Sequence, residues 1–403
     1  MFSNKLMMRV VRFEDAEELR QLFRGIKVDP YGIKIMAPKA ESFVIKIGSV
    51  SSIRANILKQ EMLSIGADAA VSRDTLTGKD KITDCLLIGT LSQYVRLCEK
   101  LKRQPFGLGV LGKEISDTLS NFLKDSFVVD LGKRKLRLGK ACAIMGILNL
   151  TPDSFSGDGL LRGGDLGIAS LAQKLVSDGA DVVDVGGEST RPGAKRVSVK
   201  EEIKRVCPVV KAIRKKIQAP ISIDTYKPEV AKSALDSGAD IINDVTGLRD
   251  RRMAKLAAKY KAAVVIMHMR GTPKNMCKFT KYDSLIDDII NSLKDSVRIA
   301  RDAGISNNKI IIDPGIGFAK TFEQNLEILR RLAEFKALGL PIMVGTSRKA
   351  FIGKILDKSP QERIFGTVAS CLVAFRNGAN IVRVHDIKQV RQALDVSQRI
   401  RNI

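Results

Sequence analysis

Eight polar positions recur between residues 149 and 385, each at the end of a short apolar run: Asn149, Asp184, Asp224, Asn243, Asp313, the triplet Ser347-Arg348-Lys349, Arg383 and His385. Two carboxylates, Asp224 and Asp313, with the amide of Asn243, suit a flat heterocycle presenting several N–H donors, because an ionised carboxylate accepts two such bonds. Lys349 would then donate to a ring carbonyl. Asn149, Arg383 and His385 form a second group, suited to a phosphate and a hard cation. Magnesium keeps most of its waters and takes few protein ligands, so one amide oxygen with phosphate oxygens is a sufficient shell. Asp153, just past Asn149, adds negative charge there. Arg383 and His385 lie two residues apart and share one face of an extended strand. A single polar strand end is ordinarily a cap satisfied by backbone; eight of them point to a site. The other histidine, His268, reads as structural. No Ser-His-Asp order and no glycine-flanked nucleophilic serine is present, so covalent acyl chemistry is not supported.

The elements that would position these groups are legible from residue 141 onward, where short β-branched runs alternate with amphipathic segments. The strands expected are Ile144–Asn149, Val182–Gly187, Ile221–Thr225, Ile241–Val245, Val264–His268, Ile310–Asp313, Ile342–Gly345 and Ile381–Val384. Helices are expected at Ile168–Ser177, Glu201–Lys216, Pro228–Asp236, Leu285–Arg301, Gln324–Ala337, Gln361–Arg376 and Val390–Ile400. Gly-Ala pairs at 179–180, 238–239 and 378–379 stand where a helix stops before the next strand. Eight β/α units predict an α/β chain whose C-terminal two thirds, 141–403, fold as a (β/α)8 TIM barrel, with catalytic groups at the C-terminal strand ends. Residues 1–140 read as a small α/β domain of unknown role, with helices at Asp15–Phe23, Ser51–Ser64, Gln93–Lys102 and Glu114–Leu123 and apolar runs at Phe43–Ile47, Leu86–Ile88 and Phe127–Val129. A doubly wound sheet is disfavoured, because Thr-Pro-Asp-Ser-Phe and not a glycine fingerprint follows the first barrel strand. The chain's G-x-G-x-x-G, at Gly107, Gly109 and Gly112, follows a basic helical stretch and Pro105, which argues against a dinucleotide site. Glycine- and proline-punctuated loops at Thr151–Gly164 and Glu188–Lys195 read as lids that exclude water.

The 403 residues carry 68 basic and 44 acidic side chains, a net charge of +24. That excess is distributed: residues 1–140 hold 25 basic and 16 acidic groups, and the only dense cluster is Lys133, Arg134, Lys135, Arg137 and Lys140. With five tyrosines, no tryptophan and no aromatic-interleaved basic stripe, nucleic-acid binding is not expected as a main function. A positive field suits a small anionic substrate. Six cysteines without a C-x-x-C pair argue against a zinc site or disulfide framework and for reduced thiols. Neither a leader pattern nor an apolar run of about 18 residues is present, so a cytoplasmic protein without membrane contact is expected.

The stretches MGILNLTPDSFSGDG (145–159), DVGGESTRPGA (184–194), SIDTYKPEVAKSAL (222–235), IINDVTG (241–247), MHMRGTP (267–273), IDPGIGFAKT (312–321), GTSRKAFIG (345–353) and RVHD (383–386) resemble the dihydropteroate synthases, a pterin-binding TIM-barrel family. The resemblance spans about 141–396 and leaves out residues 1–140. It implies a transferase of folate biosynthesis that joins 6-hydroxymethyl-7,8-dihydropterin diphosphate to p-aminobenzoate with Mg²⁺, releasing pyrophosphate through a pterin cation. On this resemblance Asp224, Asn243, Asp313 and Lys349 would hold the pterin, and Asn149, Arg383 and His385 the pyrophosphate and its metal. Thr190, Arg191, Phe318, Ser347 and Arg348 would line the aminobenzoate side, and Asp184 is carried over as a further substrate contact. Asp153, Arg191, Lys349, Arg383 and His385 are the expected catalytic set, Asn149 the metal ligand, and a homodimer the family expectation. Three other readings remain open: a pterin-dependent methyltransferase, which would not need Thr190-Arg191-Pro192 or Ser347-Arg348-Lys349, a non-catalytic RNA-associated protein using the positive charge and the basic cluster, and a synthase acting on a modified arylamine.

Overall fold

The computed structural model describes residues 8–13, 15–79, 81–139, 141–150, 164–189 and 196–401. It divides into two compact units, Met1–Ser120 and Asn121–Ile403. The first is built on strands β1 (Ser42–Ser51), β2 (Asp68–Val71) and β3 (Ile82–Thr90), an antiparallel sheet in the order β1-β3-β2. In β3 burial alternates residue by residue, so Cys85 and Leu87 enter a core with Leu58, Met62, Leu97 and Leu101 from the helices. Tyr94 is buried in that core, and its hydroxyl donates to the Leu87 carbonyl at 2.6 Å. The helix Pro30–Ala40 has no counterpart among the helices expected from sequence, because Gly32 and Pro38 read as breakers; Asp29 caps it and Pro30 occupies its first turn. The G-x-G-x-x-G follows the helix Leu91–Leu101, not a strand. A Cβ at Gly112 would stand 3.1 Å from that of Leu101, so the glycine serves close helix packing and not a nucleotide.

The second unit begins at Asn121, twenty residues upstream of the 140/141 division read from the sequence, and its first strands form a hairpin, β4 (Phe127–Asp130) and β5 (Lys135–Leu138). Val129, Leu131, Leu136 and Leu138 from the hairpin share one buried cluster with Met145, Val182, Ile241, Val265, Ile311, Met343 and Ile381, the interior side chains of the barrel. Burying each such side chain contributes about 1.5–3 kcal/mol. Arg134 of the dense basic cluster is committed here, donating to the Gln218 carbonyl at 2.8 Å and to Asp240 at 3.1 Å. Lys309 reaches the Asp130 carbonyl at 2.9 Å.

Among the described residues the barrel strands are β6 (Ala143–Asn149), β7 (Val182–Gly186), β8 (Ile221–Asp224), β9 (Ile241–Asp244), β10 (Ala263–Met267), β11 (Ile310–Asp313), β12 (Met343–Val344) and β13 (Ile381–Val384). They are parallel, in the order β11-β10-β9-β8-β7-β6-β13-β12, and a parallel bridge from Ile312 to Ile342 closes the circle into a (β/α)8 barrel. All eight coincide with the runs expected from sequence to within two residues. The helix expected over Gln324–Ala337 breaks instead into Phe322–Arg330 and a 3-10 segment, Leu332–Leu338. On the outer faces of the strands, Val183, Val185, Ile223, Ile242, Val264 and Ile312 pack against the surrounding helices in the largest core cluster.

Candidate active site

Strand parity decides which strand-end residue faces the barrel interior. Val182, Ile241, Ile311 and Ile381 belong to the interior cluster, so Asp184, Asn243, Asp313 and Arg383, each two residues on, face the same way. Ile221 and Ile223 belong to the outer cluster, which turns Asp224 inward. Register then lines up Asn149, Gly186, Asp224 and Asn243 as one row across β6 to β9. Asp244 has the opposite parity and takes a structural role, accepting from Thr246 N at 2.8 Å and Leu248 N at 3.0 Å.

Arg383 starts four residues below that row, paired with Met145, and its guanidinium joins the carboxylates. Nε donates to Asp184 Oδ2 at 2.6 Å and Nη2 to Asp224 Oδ2 at 2.7 Å. Asn243 Nδ2 donates to the same Asp184 oxygen at 3.3 Å. The two groups separated in the sequence reading are therefore joined here, since Arg383 is bound to carboxylates of the heterocycle group. Asp184 Oδ1 and Asp224 Oδ1 are buried and have no hydrogen-bond partner among the described residues. Burial pushes the Asp224 carboxyl up to about 7, against the pull of Arg383 and with help from the nearby Asp184 charge. Burial alone would lower Arg383, but Asp184 and Asp224 hold it above its ordinary value. Val245, Met267, Met269, Met276 and Phe318 form a buried apolar cluster at this end of the barrel, with Tyr226 packed on it. Sequence reasoning passed over all of these except Phe318, because an apolar strand end is indistinguishable from core until the fold is known.

The loop after β11 supplies a second wall. Asp313 Oδ1 accepts from Gly315 N at 2.7 Å, and burial raises the Asp313 carboxyl despite that bond and the nearby Lys349. Lys349 Nζ donates to the Ile316 carbonyl at 3.0 Å and stands 4.3 Å from the centre of the Phe318 ring. Lys320, missed in the sequence reading, donates to the Phe318 carbonyl at 2.9 Å and lies 3.0 Å from His268 Nδ1. The motif IDPGIGFAKT contained Lys320, but nothing in its spacing showed where the side chain would turn.

Ser347 Oγ lies 2.9 Å from His385 Nδ1 and accepts from His385 N at 3.2 Å. Arg348 makes a two-pronged pair with Asp386, at 3.1 and 2.5 Å. Ser347 and Arg348 are thus committed to neighbours in the barrel. Asn149 Oδ1 stands 3.4 Å from where a Cβ on Gly186 would be, so it overhangs the gap that this glycine leaves beside Asp224. Among the described residues no group of three His, Cys, Asp or Glu side chains is placed to hold a metal ion.

A buried ionic network flanks the segment after β7. Lys227 Nζ donates to Glu188, to Glu202 at 2.5 Å and to the Val197 carbonyl at 2.7 Å. Thr225 donates to Glu202 at 2.8 Å and Tyr226 to Glu188 at 2.9 Å. Burial alone would lower Lys227, but the two carboxylates hold its ammonium above the ordinary value. Asp153, Thr190 and Arg191, and most of the two loops read as lids, lie outside the described residues.

The model of a family described as pterin binding enzyme matches residues 145–385. A dihydropteroate synthase of Synechocystis is 46% identical over 283 residues, 70% of this chain and 97% of that protein. A probable bifunctional folylpolyglutamate synthase/dihydropteroate synthase of Halobacterium salinarum is 38% identical over 388 residues, 96% of this chain and 46% of that protein. A match of that length takes in the first compact unit. Among solved structures, a Clostridium difficile dihydropteroate synthase determined in the presence of pteroic acid superposes with a TM-score of 0.61 at 46% identity, over 65% of this chain and 98% of that one. A Thermus thermophilus dihydropteroate synthase in complex with 4-aminobenzoate gives 0.61 at 39%, over 69% and 100%.

Proposed function

The chain belongs to the pterin-binding enzyme family, and from that premise we propose that it is a dihydropteroate synthase, condensing 6-hydroxymethyl-7,8-dihydropterin diphosphate with p-aminobenzoate. The observation that carries this reading is the pair of buried, unpartnered carboxylate oxygens, Asp184 Oδ1 and Asp224 Oδ1, beside Asn243. A buried acceptor without a donor costs about 1–3 kcal/mol, and a pterin edge with ring and amino N–H groups supplies donors. Val245, Met267 and Phe318 offer apolar walls for the flat ring. Lys349, with Asp313 opposite it on the β11 loop, supplies the donor for the ring carbonyl.

In the reaction the methylene C–O bond breaks, its electron pair leaving with pyrophosphate, and the amine lone pair forms the C–N bond before the nitrogen releases a proton to solvent. No strong base is needed, so the residues act by positioning and by electrostatics. The network of Asp184, Asp224 and Arg383 holds compensated charge at the developing cation. His385 and Asn149 would face the leaving diphosphate, with Asp153 contributing from the first loop, and Thr190, Arg191, Phe318, Ser347 and Arg348 lining the amine side.

The oxygen donors at this corner fit Mg²⁺, because Asn149 Oδ1 is a hard ligand and the diphosphate brings further oxygens. Magnesium, when bound, neutralises charge on the leaving group. The partners of this reading are small molecules, neither nucleic acid nor membrane. Among the described residues no helix is long and apolar enough to cross a membrane. A cytoplasmic homodimer completes the reading.

The test supplies purified protein with Mg²⁺, the pterin diphosphate and p-aminobenzoate, and follows pyrophosphate and dihydropteroate together. Equal release of both supports the reading, and EDTA should stop both. Pterin binding without product would move the assignment to another amine or to methyl transfer.

A further inference from the structure

Three left-handed residues alternate along the loop after β11: Gly315 (φ 72°), Gly317 (φ 79°) and Ala319 (φ 53°). For a residue with a β-carbon this conformation costs roughly 1–2 kcal/mol, so Ala319 must be held. Tyr282 donates its hydroxyl to the Ala319 carbonyl at 3.0 Å, and Lys320 Nζ donates to the Phe318 carbonyl at 2.9 Å. Asn325 Oδ1 accepts from Gly317 N at 2.6 Å. Lys349 holds the Ile316 carbonyl at 3.0 Å. Two ammonium groups therefore grip alternate carbonyls of the segment that presents Phe318.

Lys320 differs from Lys349 in its surroundings. Its two hydrogen-bond acceptors, the Phe318 carbonyl and His268 Nδ1, are both uncharged. His268 is neutral, since burial and the cations Lys320, Arg270 and Arg249 push it down to about 2. An Nδ1 that accepts from an ammonium leaves the imidazole proton on Nε2. The charges facing the ammonium are Asp313 at the end of β11, which favours it, and Lys349 and Arg270, which oppose it.

We propose that Lys320 is a positioning residue of the site: its amino group, bridging the Phe318 carbonyl and His268, sets the Phe318 wall and, while protonated, places a positive charge beside Asp313. This inference rests on the pterin-binding reading above. Burial brings the Lys320 ammonium down to about 7, so its charge is lost across the neutral range. A substitution there should weaken pterin binding more at low pH, where the charge is present, than at high pH, where the neutral amine keeps only its hydrogen bond to the Phe318 carbonyl. A purely structural role would weaken binding equally at both.

The test measures pteroic acid binding by calorimetry from pH 6 to pH 9, with the full-length wild-type chain and Lys320→Met. The variant should bind about tenfold more weakly than wild type at pH 6, the size expected for loss of a hydrogen bond to a charged group. The gap should narrow by pH 9, where only the uncharged hydrogen bond to the Phe318 carbonyl separates the two proteins. Asp224 titrates in the same range, but it is common to both proteins and cancels in the ratio. If Lys320→Met does not fold, Lys320→Gln, which keeps a donor for the carbonyl but no charge, gives the same comparison. Equal affinities at pH 6, or a gap that persists unchanged to pH 9, overturn the role of Lys320. Wild-type protein that binds no pteroic acid at any pH overturns the pterin-binding reading itself, and this inference with it.

Discussion

Replacing Asp224 by asparagine should make the protein more stable at pH 8 while removing its grip on the pterin. In the fold the Asp224 carboxyl moves from 3.8 to about 7, chiefly because it is buried. The fold thus retains a proton that the unfolded chain has released over that interval. A carboxyl raised in this way contributes stability that is fully present below its unfolded value and is lost as pH rises through the folded one. At about 1.4 kcal/mol for each pH unit, the displacement amounts to roughly 4 kcal/mol of strain carried by the native protein above pH 7. Asparagine keeps the shape and an acceptor for Arg383 without the charge. The expected outcome of urea denaturation is a variant more stable than wild type by about 2–4 kcal/mol at pH 8, with the difference vanishing near pH 4. Pteroic acid affinity should fall by about ten- to a hundredfold, as for loss of a hydrogen bond to a charged acceptor. A variant less stable than wild type at pH 8, or a stability gap that does not change with pH, would refute the argument from burial.

His385→Ala removes the partner of Ser347 and should lower kcat by about ten- to a hundredfold while leaving pterin affinity intact; unchanged pyrophosphate release would count against a role at the leaving group. Gly315→Ala would place a Cβ 2.1 Å from the His268 carbonyl at a residue with φ 72°. The loss should exceed about 3 kcal/mol, visible as a large drop in denaturation midpoint. Leu136→Ala empties part of the hairpin's contribution to the barrel interior and should cost about 2–4 kcal/mol without changing KM for either substrate; a shift in KM would mean that the hairpin communicates with the C-terminal strand ends.

The eight barrel strands were readable because β-branched runs of four to six residues, separated by amphipathic stretches, permit few other arrangements. The polar residues terminating them were readable for the same reason, and strand parity alone turned Asp184, Asn243, Asp313 and Arg383 inward. The hairpin β4–β5 was not, because its second strand, Lys-Leu-Arg-Leu, sits in a run of five basic residues that reads as a charged linker. Only the closed barrel supplies the apolar interior in which Leu136 and Leu138 are buried. The pairing of Arg383 with Asp184 and Asp224 likewise depended on tertiary structure: 199 and 159 residues separate the partners, and the sequence placed Arg383 with the phosphate group. Lys320 and His268 lie 52 residues apart, and each alone looked like an ordinary surface lysine or structural histidine. Local periodicity and residue chemistry are properties of short segments and so are written in the sequence. Burial, charge neighbours and the proton affinities that follow from them are properties of distant segments brought together, and these only the fold decided.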